Sequence, residues 1–280
     1  MSTETWNNAA EQISQRPETR RVVTRARAFW THLAISSAIV GAACAVIFFV
    51  WYPYPYFQAA GAWNVLRILI GVDLVLGPLL TLIVFKPGKR GLKFDLGVIA
   101  LVQIAALVYG LTIIHRERPY FMVFALDRFY LLSGPDVDAA KLAEGRAAGR
   151  VDDKPLRGPV LVRANRPTDT EGLQRLLDET IFGGQPDIER RPEYWQRFAD
   201  DDGQVVGRSR PLTELHAARP DAAAKIAALA AKLGRTEDQI RFLPLIAKNR
   251  DVSVIIDAAT GVPIDVVDVD PWISGAPAPP

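Results

Sequence analysis

An apolar run over residues 65–85 constrains the fold of this chain more than any other feature. It is long enough to cross a lipid bilayer, which needs about 20 residues of α-helix. Asp73 lies near its middle, where a charged side chain is costly unless it finds a partner. A compact group of basic residues follows the run: Lys86, Lys89, Arg90 and Lys93. We therefore expect a membrane helix with an acid inside it and an orientation signal at its end.

Two further apolar runs flank this one. The sequence predicts transmembrane helices over residues 29–51, 64–85 and 96–114, and the third, of about 19 residues, is short but sufficient to cross a bilayer. The hydrophobic fraction of the whole chain, 49%, is close to that of soluble proteins, so the distribution along the chain carries the signal. The sequence predicts a membrane protein with a three-helix transmembrane bundle over residues 29–115.

The basic residues predict the orientation of these helices. Residues 1–28 form a polar, basic lead, and the first loop, residues 52–61, contains no charge. The basic residues of the lead that are closest to the first span are Arg20, Arg21, Arg25 and Arg27. Because positive charges stay in the cytoplasm, we expect the lead and the basic loop there, and everything after Ile114 on the far side. In a Gram-negative bacterium this is an inner-membrane protein with a periplasmic domain. The lead and the first span are both too long for a cleavable signal peptide.

Polar residues of all three spans fall at a similar depth. At about 1.5 Å per residue, Asp73 is about 18 Å from Phe85 and Gln103 about 14 Å from the same side. Ser36 and Ser37 lie at a comparable depth in the first span. An acid, an amide and two hydroxyls could therefore meet near the midplane, and uncharged partners suit a protonated carboxyl best. Three roles stay open for Asp73: a structural polar cluster, a contact with a partner protein, or part of a proton or ion path.

Small residues recur every four positions in the first span, at Ser37, Gly41 and Ala45. Such a face lets another helix approach closely, because no bulky side chain keeps the backbones apart. The spacing predicts a helix–helix contact on this face.

The remainder of the chain predicts a soluble α+β domain over residues 119–272 with an antiparallel sheet. Branched and aromatic residues predict strands over 120–132, 159–164, 241–247, 252–257 and 263–269. Helices are expected over 137–148, 168–181, 192–199, 212–218 and 221–233, and the second of them has a periodic apolar face. The last two strands suit a hairpin with Gly261 at positive φ. We expect the tail, residues 273–280, to be disordered.

Composition and motifs argue against several functions. A net charge of +2 does not favour nucleic-acid binding, and the single cysteine, Cys44, allows no disulfide within the chain. No phosphate-binding loop or nucleophile elbow is present in the sequence. The histidines are scattered, and the acids Asp265, Asp268 and Asp270 alternate with other residues as in a half-solvated strand rather than a calcium loop. We expect no metal, no cofactor and no enzymatic activity.

Three segments carry a resemblance to a known family. They are FFVWYPYPYF at residues 48–57, GVDLVLGPLLTLIVFKPGKRGLKFDL at 71–96 and RPYFMVFALDRF at 118–129. Over residues 25–130 the chain resembles the type IV pilin accessory proteins (TfpX/TfpZ, also called FimB). The resemblance implies a non-enzymatic inner-membrane factor that supports the stability or assembly of one type IV pilin, as a chaperone or assembly modulator. It leads to the hypothesis that the small face of the first span, or the Asp73 face, meets the pilin helix while the outer domain meets the pilin head.

Two other functions compete with this interpretation. The chain could be a membrane-anchored envelope sensor or binding protein whose outer domain binds another partner. It could also be a small transporter subunit in which Asp73 couples to an ion. A pilin gene beside the gene of this protein would favour the first interpretation. Partners expected from the sequence are therefore the lipid bilayer and a pilin, and the sequence predicts no oligomeric state.

Overall fold

A computed structural model describes residues 24–198 and 203–273 of the chain. Three helices are long and apolar enough to cross a membrane: Arg25–Trp51, Trp63–Val84 and Leu92–Arg116, called here spans one, two and three. A mixed α/β domain, the head, follows span three. Arg20, Arg21 and most of the predicted tail (274–280) lie outside the described residues, whereas Ile273 is buried in the head.

Spans one and two both depart from regular α-helix where they contain π turns. Span one is α-helical over Arg25–Val46 and ends in a π turn at Ile47–Trp51. Span two consists of α-helix at Trp63–Ile70, a π segment at Gly71–Leu76 and α-helix at Gly77–Val84. The π segment ends two residues before Pro78, which has no N–H to donate to the regular ladder of helical hydrogen bonds. Span two therefore departs from regular α-helix in the turns ahead of the proline.

Span two is the centre of the bundle. Spans one and three both pack against it, with close approaches along much of their length. Between spans one and three a groove remains, lined by residues of all three helices. We call the end that holds Arg27 and the loop at residues 85–91 the basic end, and the opposite end the head end.

The head is built on one sheet of eight strands. The strands are β1 Pro119–Ala125, β2 Arg128–Ser133, β3 Val160–Ala164, β4 Trp195–Arg197, β5 Arg210–Pro211, β6 Ile240–Ile246, β7 Val252–Asp257 and β8 Pro263–Val267. Their order is β4-β3-β1-β2-β6-β7-β8, and β5 also pairs with β6. The hairpin from β7 to β8 contains Gly261 at φ +68°, which confirms the predicted positive φ there.

The prediction of an antiparallel sheet is wrong, because the sheet is mixed. Neighbours in sequence pair antiparallel, as β1 with β2 and β6 with β7 do. Two other pairs are parallel: β1 with β3, and β2 with β6. Parallel pairs need crossover connections, and here those connections contain the helices between the paired strands. The expectation came from hairpins, which show only the antiparallel part of the topology.

Six further helices complete the described chain. They are α1 Tyr56–Ala60, α2 Ala139–Ala147, α3 Thr170–Ile181, α4 Gln204–Arg208, α5 Leu212–Ala218 and α6 Ala223–Leu233. Short 3₁₀ turns occur at Gly134–Asp136, Ile188–Arg190, Pro192–Tyr194, Pro220–Ala222 and Glu237–Gln239. The helix predicted over 192–199 is wrong: a 3₁₀ turn leads into β4, and the wholly buried ring of Trp195 packs against Phe121.

The sheet has an apolar core on each face. One face packs residues such as Phe129 and Leu245 against α4 and α1, whose Ala59 is completely buried. The other face packs β6 and β7 against α5 and α6, and β1 and β3 against α3. Since α1 lies in the loop between spans one and two, the membrane bundle contributes directly to the core of the head.

Hydrogen bonds fix the head to that loop. The backbone N–H of Asn249 donates to the carbonyl oxygen of Ala59 at 2.9 Å, and its side chain donates to the carbonyl oxygen of Gln58 at 3.0 Å. Arg250 donates to the side-chain oxygen of Gln58 at 3.0 Å. Gly61, at φ +77°, ends α1, and a Cβ there would lie 3.0 Å from the Asn249 Cβ. The loop and the turn before β7 therefore fit closely, and we call these contacts the joint.

Lys248 extends the joint to the end of span three. Its Nζ lies 2.7 Å from a carboxylate oxygen of Glu117 and 3.4 Å from one of Asp136. Burial alone would raise the pKa of Asp136, but hydrogen bonds from Ser133 and the charge of Lys248 outweigh it and hold that pKa below its usual value. Asp136 therefore helps to hold Lys248 within the head, and Lys248 in turn contacts Glu117 at the end of span three.

Candidate functional site

The candidate site is the polar cluster inside the bundle, centred on Asp73. This residue lies in the π segment of span two and is 4% exposed. The side-chain nitrogen of Gln103, on span three, lies 3.5 Å from Asp73 Oδ1 and 3.3 Å from the Asp73 carbonyl oxygen. Within the described residues, Asp73 Oδ2 is buried and has no hydrogen-bond partner. Within the cluster, one oxygen of the Asp73 carboxylate therefore has a hydrogen-bond donor nearby, and the other has none among the described residues.

Gly77 makes the approach of Gln103 possible. A Cβ at this position would lie 2.0 Å from the Gln103 side-chain nitrogen, closer than any real contact. The amide thus packs directly on the backbone of span two. The sequence analysis did not identify this role of Gly77. The available signal was a glycine one helical turn from a buried acid.

A second polar pair, His32 with Thr81, was also missed. The His32 Nδ1 and the Thr81 hydroxyl oxygen lie 2.6 Å apart, and this contact joins span one to span two. Thr81 is buried. Both residues lie about 6–8 Å from the basic ends of their helices, so the depth count used for Asp73 would have found them.

The two serines expected near Asp73 lie in different places. Ser36 is buried and lines the groove beside Asp73 and Gln103. Ser37 is exposed on another side of span one, because successive residues of a helix point about 100° apart. The expectation that both hydroxyls meet Asp73 is therefore wrong for Ser37.

The small-residue face of span one points away from the bundle. Ser37, Gly41 and Ala45 are all exposed, and a Cβ at Gly41 would meet nothing within 4 Å. Among the described residues, no helix packs closely on this face. It is a smooth outer surface of the bundle.

The basic residues that the orientation rests on share one end of the bundle. Arg25, Arg27, Lys86, Lys89, Arg90 and Lys93 are all exposed there. Lys89 pairs with Asp95 at 2.6 Å across the loop, and Gly88 and Gly91 take positive φ within it. These residues are thus placed where lipid headgroups or solvent would surround them.

The head offers no comparable cluster within the described residues. No group of three or more His, Cys, Asp and Glu side chains is close enough to hold a metal ion there. The acids considered for calcium each contact a basic side chain: Asp265 with Lys232, Asp268 with Arg250, and Asp270 with Arg219. A head cavity of about 1130 Å³ has walls of mixed charge beside β3 and α3.

Comparison with known proteins finds fimbrial assembly proteins. The family model described as fimbrial assembly protein FimB matches residues 20–61, which include span one and α1. The fimbrial assembly proteins of serogroups E1 and I of Dichelobacter nodosus are 29% and 28% identical over 261 residues, 89% of this chain and 99% of each relative. That of serogroups C1 and C2 is 36% identical over 121 residues, 42% of this chain and 92% of that relative. No solved structure matches this chain.

Proposed function

The chain belongs to the fimbrial assembly protein FimB family, and on this basis we propose that it is a membrane-embedded accessory factor for assembly of a type IV fimbria. Its partner is the pilin subunit, which it contacts directly as a chaperone or assembly modulator. It acts by binding and not by catalysis.

The proposed location is the bacterial inner membrane, with the amino terminus and the basic end in the cytoplasm. The grouping of Arg25, Arg27 and the residues of the 86–93 loop at one end supports this orientation, because positive charge is retained on the cytoplasmic side. The head then lies in the periplasm. The alternative orientation would place this whole basic group outside.

The observation that carries the proposal is the joint between head and bundle. Through Ala59 and Asn249 the head is held against the bundle at a fixed position, without a flexible linker. The family resemblance implies a partner with one helix in the bilayer and a globular part outside. A bundle and head in fixed relation suit such a partner, because both of its parts can be held together.

A deletion strain tests the proposed function. We expect the amount of pilin in the sheared surface fraction to fall at least tenfold, and a plasmid copy of the gene to restore it. A normal cellular pool of pilin would assign the protein to assembly, whereas loss of both pools would assign it to pilin stability. Unchanged surface pilin, with every pilin gene of the strain accounted for, would contradict the proposal.

A further inference from the structure

The groove between spans one and three is the strongest unassigned feature of the bundle. It has a volume of about 700 Å³ and extends from Arg27 at the basic end to Asp73 in the middle of span two. Most of its walls are apolar, with Ile35 and Ile39 on span one and Ala100, Ile104 and Leu107 on span three. Its surface is therefore apolar along the walls and carries a carboxyl group at its base.

That carboxyl group is incompletely satisfied. Asp73 Oδ2 is buried without a partner among the described residues, while Oδ1 is near Gln103. The other polar pair on the groove, His32 with Thr81, is already satisfied internally. Since the bilayer core offers no water, an open polar atom at this depth is costly and favours an occupant that bonds to it.

The chemistry of the groove selects among possible occupants. A lipid acyl chain could pack against the apolar walls of the groove, but it has no atom that could form a hydrogen bond with Asp73. A membrane helix satisfies its own backbone and can present one polar side chain at a chosen depth. At the groove mouth, Arg27 has no carboxylate partner within the described residues, so an acidic side chain on the occupant would complement it.

We propose that this groove is the docking site for a membrane helix of the fimbrial subunit, with a polar side chain of that helix bonded to Asp73 Oδ2. The proposal rests on the proposed function for the identity of the subunit. It places the contact in the groove and not on the small-residue face of span one.

Site-specific photocrosslinking in cells tests the location. A benzophenone amino acid replaces Ile104, which lines the groove and is 57% exposed. The matched control replaces Val102, which is 59% exposed and points about 160° away on the same helix. We expect the Ile104 probe to capture the pilin at least fivefold more efficiently than the Val102 probe. Equal capture at both positions, or capture from Val102 alone, would overturn the proposal.

Variants of Asp73 test the polar contact with the same Ile104 probe. D73L removes both oxygens, and we expect capture of pilin to fall about three- to tenfold, the range for one hydrogen bond between membrane helices. D73N keeps a polar group at both positions and should remain within about twofold of the parent. Capture is normalised to the amount of each variant in the membrane, so a folding defect is recognised separately. Undiminished capture by D73L would refute the contact.

The outcomes separate this proposal from the proposed function. If deletion removes surface pilin but the Ile104 probe captures only lipid, a second copy of this chain or another protein, the groove proposal fails and the function stands. If deletion leaves surface pilin unchanged, the proposed function fails. Capture of pilin from Ser37 or Gly41 but not from Ile104 would move the contact to the small-residue face.

Discussion

Gly77 shows how one missing side chain determines the geometry of the polar cluster. The Gln103 amide occupies the space where a Cβ would stand, and only there does it reach both the carbonyl and the carboxyl of Asp73. The cluster therefore depends on a close approach of spans two and three. It does not depend on the polar residues alone.

G77A should therefore lower the free energy of unfolding of the bundle. The added methyl group displaces the Gln103 amide, and the loss of its hydrogen bonds destabilises the bundle by about 1 kcal/mol. The measurement is thermal or denaturant unfolding of the purified chain in detergent. G41A is the matched control, because it makes the same change in a membrane helix where nothing lies within 4 Å. Equal stability of the two variants would show that Gln103 does not need this space.

The site was partly predictable at the scale of single residues. Counting residues from the basic end placed Asp73 and Gln103 at a similar depth, and their side chains are neighbours in the structure. Depth describes only the position of a residue along the helix axis. The direction in which each side chain points around that axis, which separates Ser36 from Ser37, was not considered. The role of Gly77 depends on which helix faces which, and sequence spacing contains no such information.

At the scale of elements, α1 is the unexpected part of the fold. The sequence marks residues 52–58 as an aromatic, proline-rich interface segment, which explains a turn beside the membrane. The structure adds a short helix whose Ala59 has no exposed surface and packs beneath the sheet of the head. This element belongs to the membrane bundle by sequence and to the head by packing.

A59L should consequently destabilise the head, although the residue lies in the loop between two spans. Overpacking of a closed core typically destabilises by about 1–3 kcal/mol. Tryptophan fluorescence during unfolding can follow this change, because Trp195 is buried in the head. The control is A140L, at an exposed position of α2, where we expect a change within about 0.5 kcal/mol. If A59L behaved like A140L, α1 would not be part of the head core.

The other elements were predictable where the pattern that specifies them lies within a short stretch of sequence. Spans and hairpins follow from runs and turns within about 20 residues, and the three apolar helices and the β7–β8 turn were predicted correctly. The pairing of β2 with β6 joins residues such as Phe129 and Leu245, which are far apart in the chain. No local pattern specifies such a parallel pair, so the mixed sheet could not be derived from hairpins.

At the scale of the whole molecule, the proposed orientation gives a direct prediction. In a C44S background, single cysteines replace Arg90 in the basic loop and Glu171 on α3, both exposed. A membrane-impermeant maleimide applied to cells with a permeabilised outer membrane should label E171C at least tenfold more than R90C. After disruption of the inner membrane, both should react. Stronger labelling of R90C than of E171C before the inner membrane is disrupted would contradict the proposed orientation.

The packing of Ala59 beneath the sheet also has a consequence for biogenesis. Residues 56–60 leave the ribosome long before Asn249, yet the two segments share hydrogen bonds in the finished molecule. The head can complete its core only after spans one and two have delivered α1 to its underside. With the proposed membrane insertion, the core of the head is completed only after spans one and two are in place, and we expect a chain with a misinserted first hairpin to leave that core incomplete.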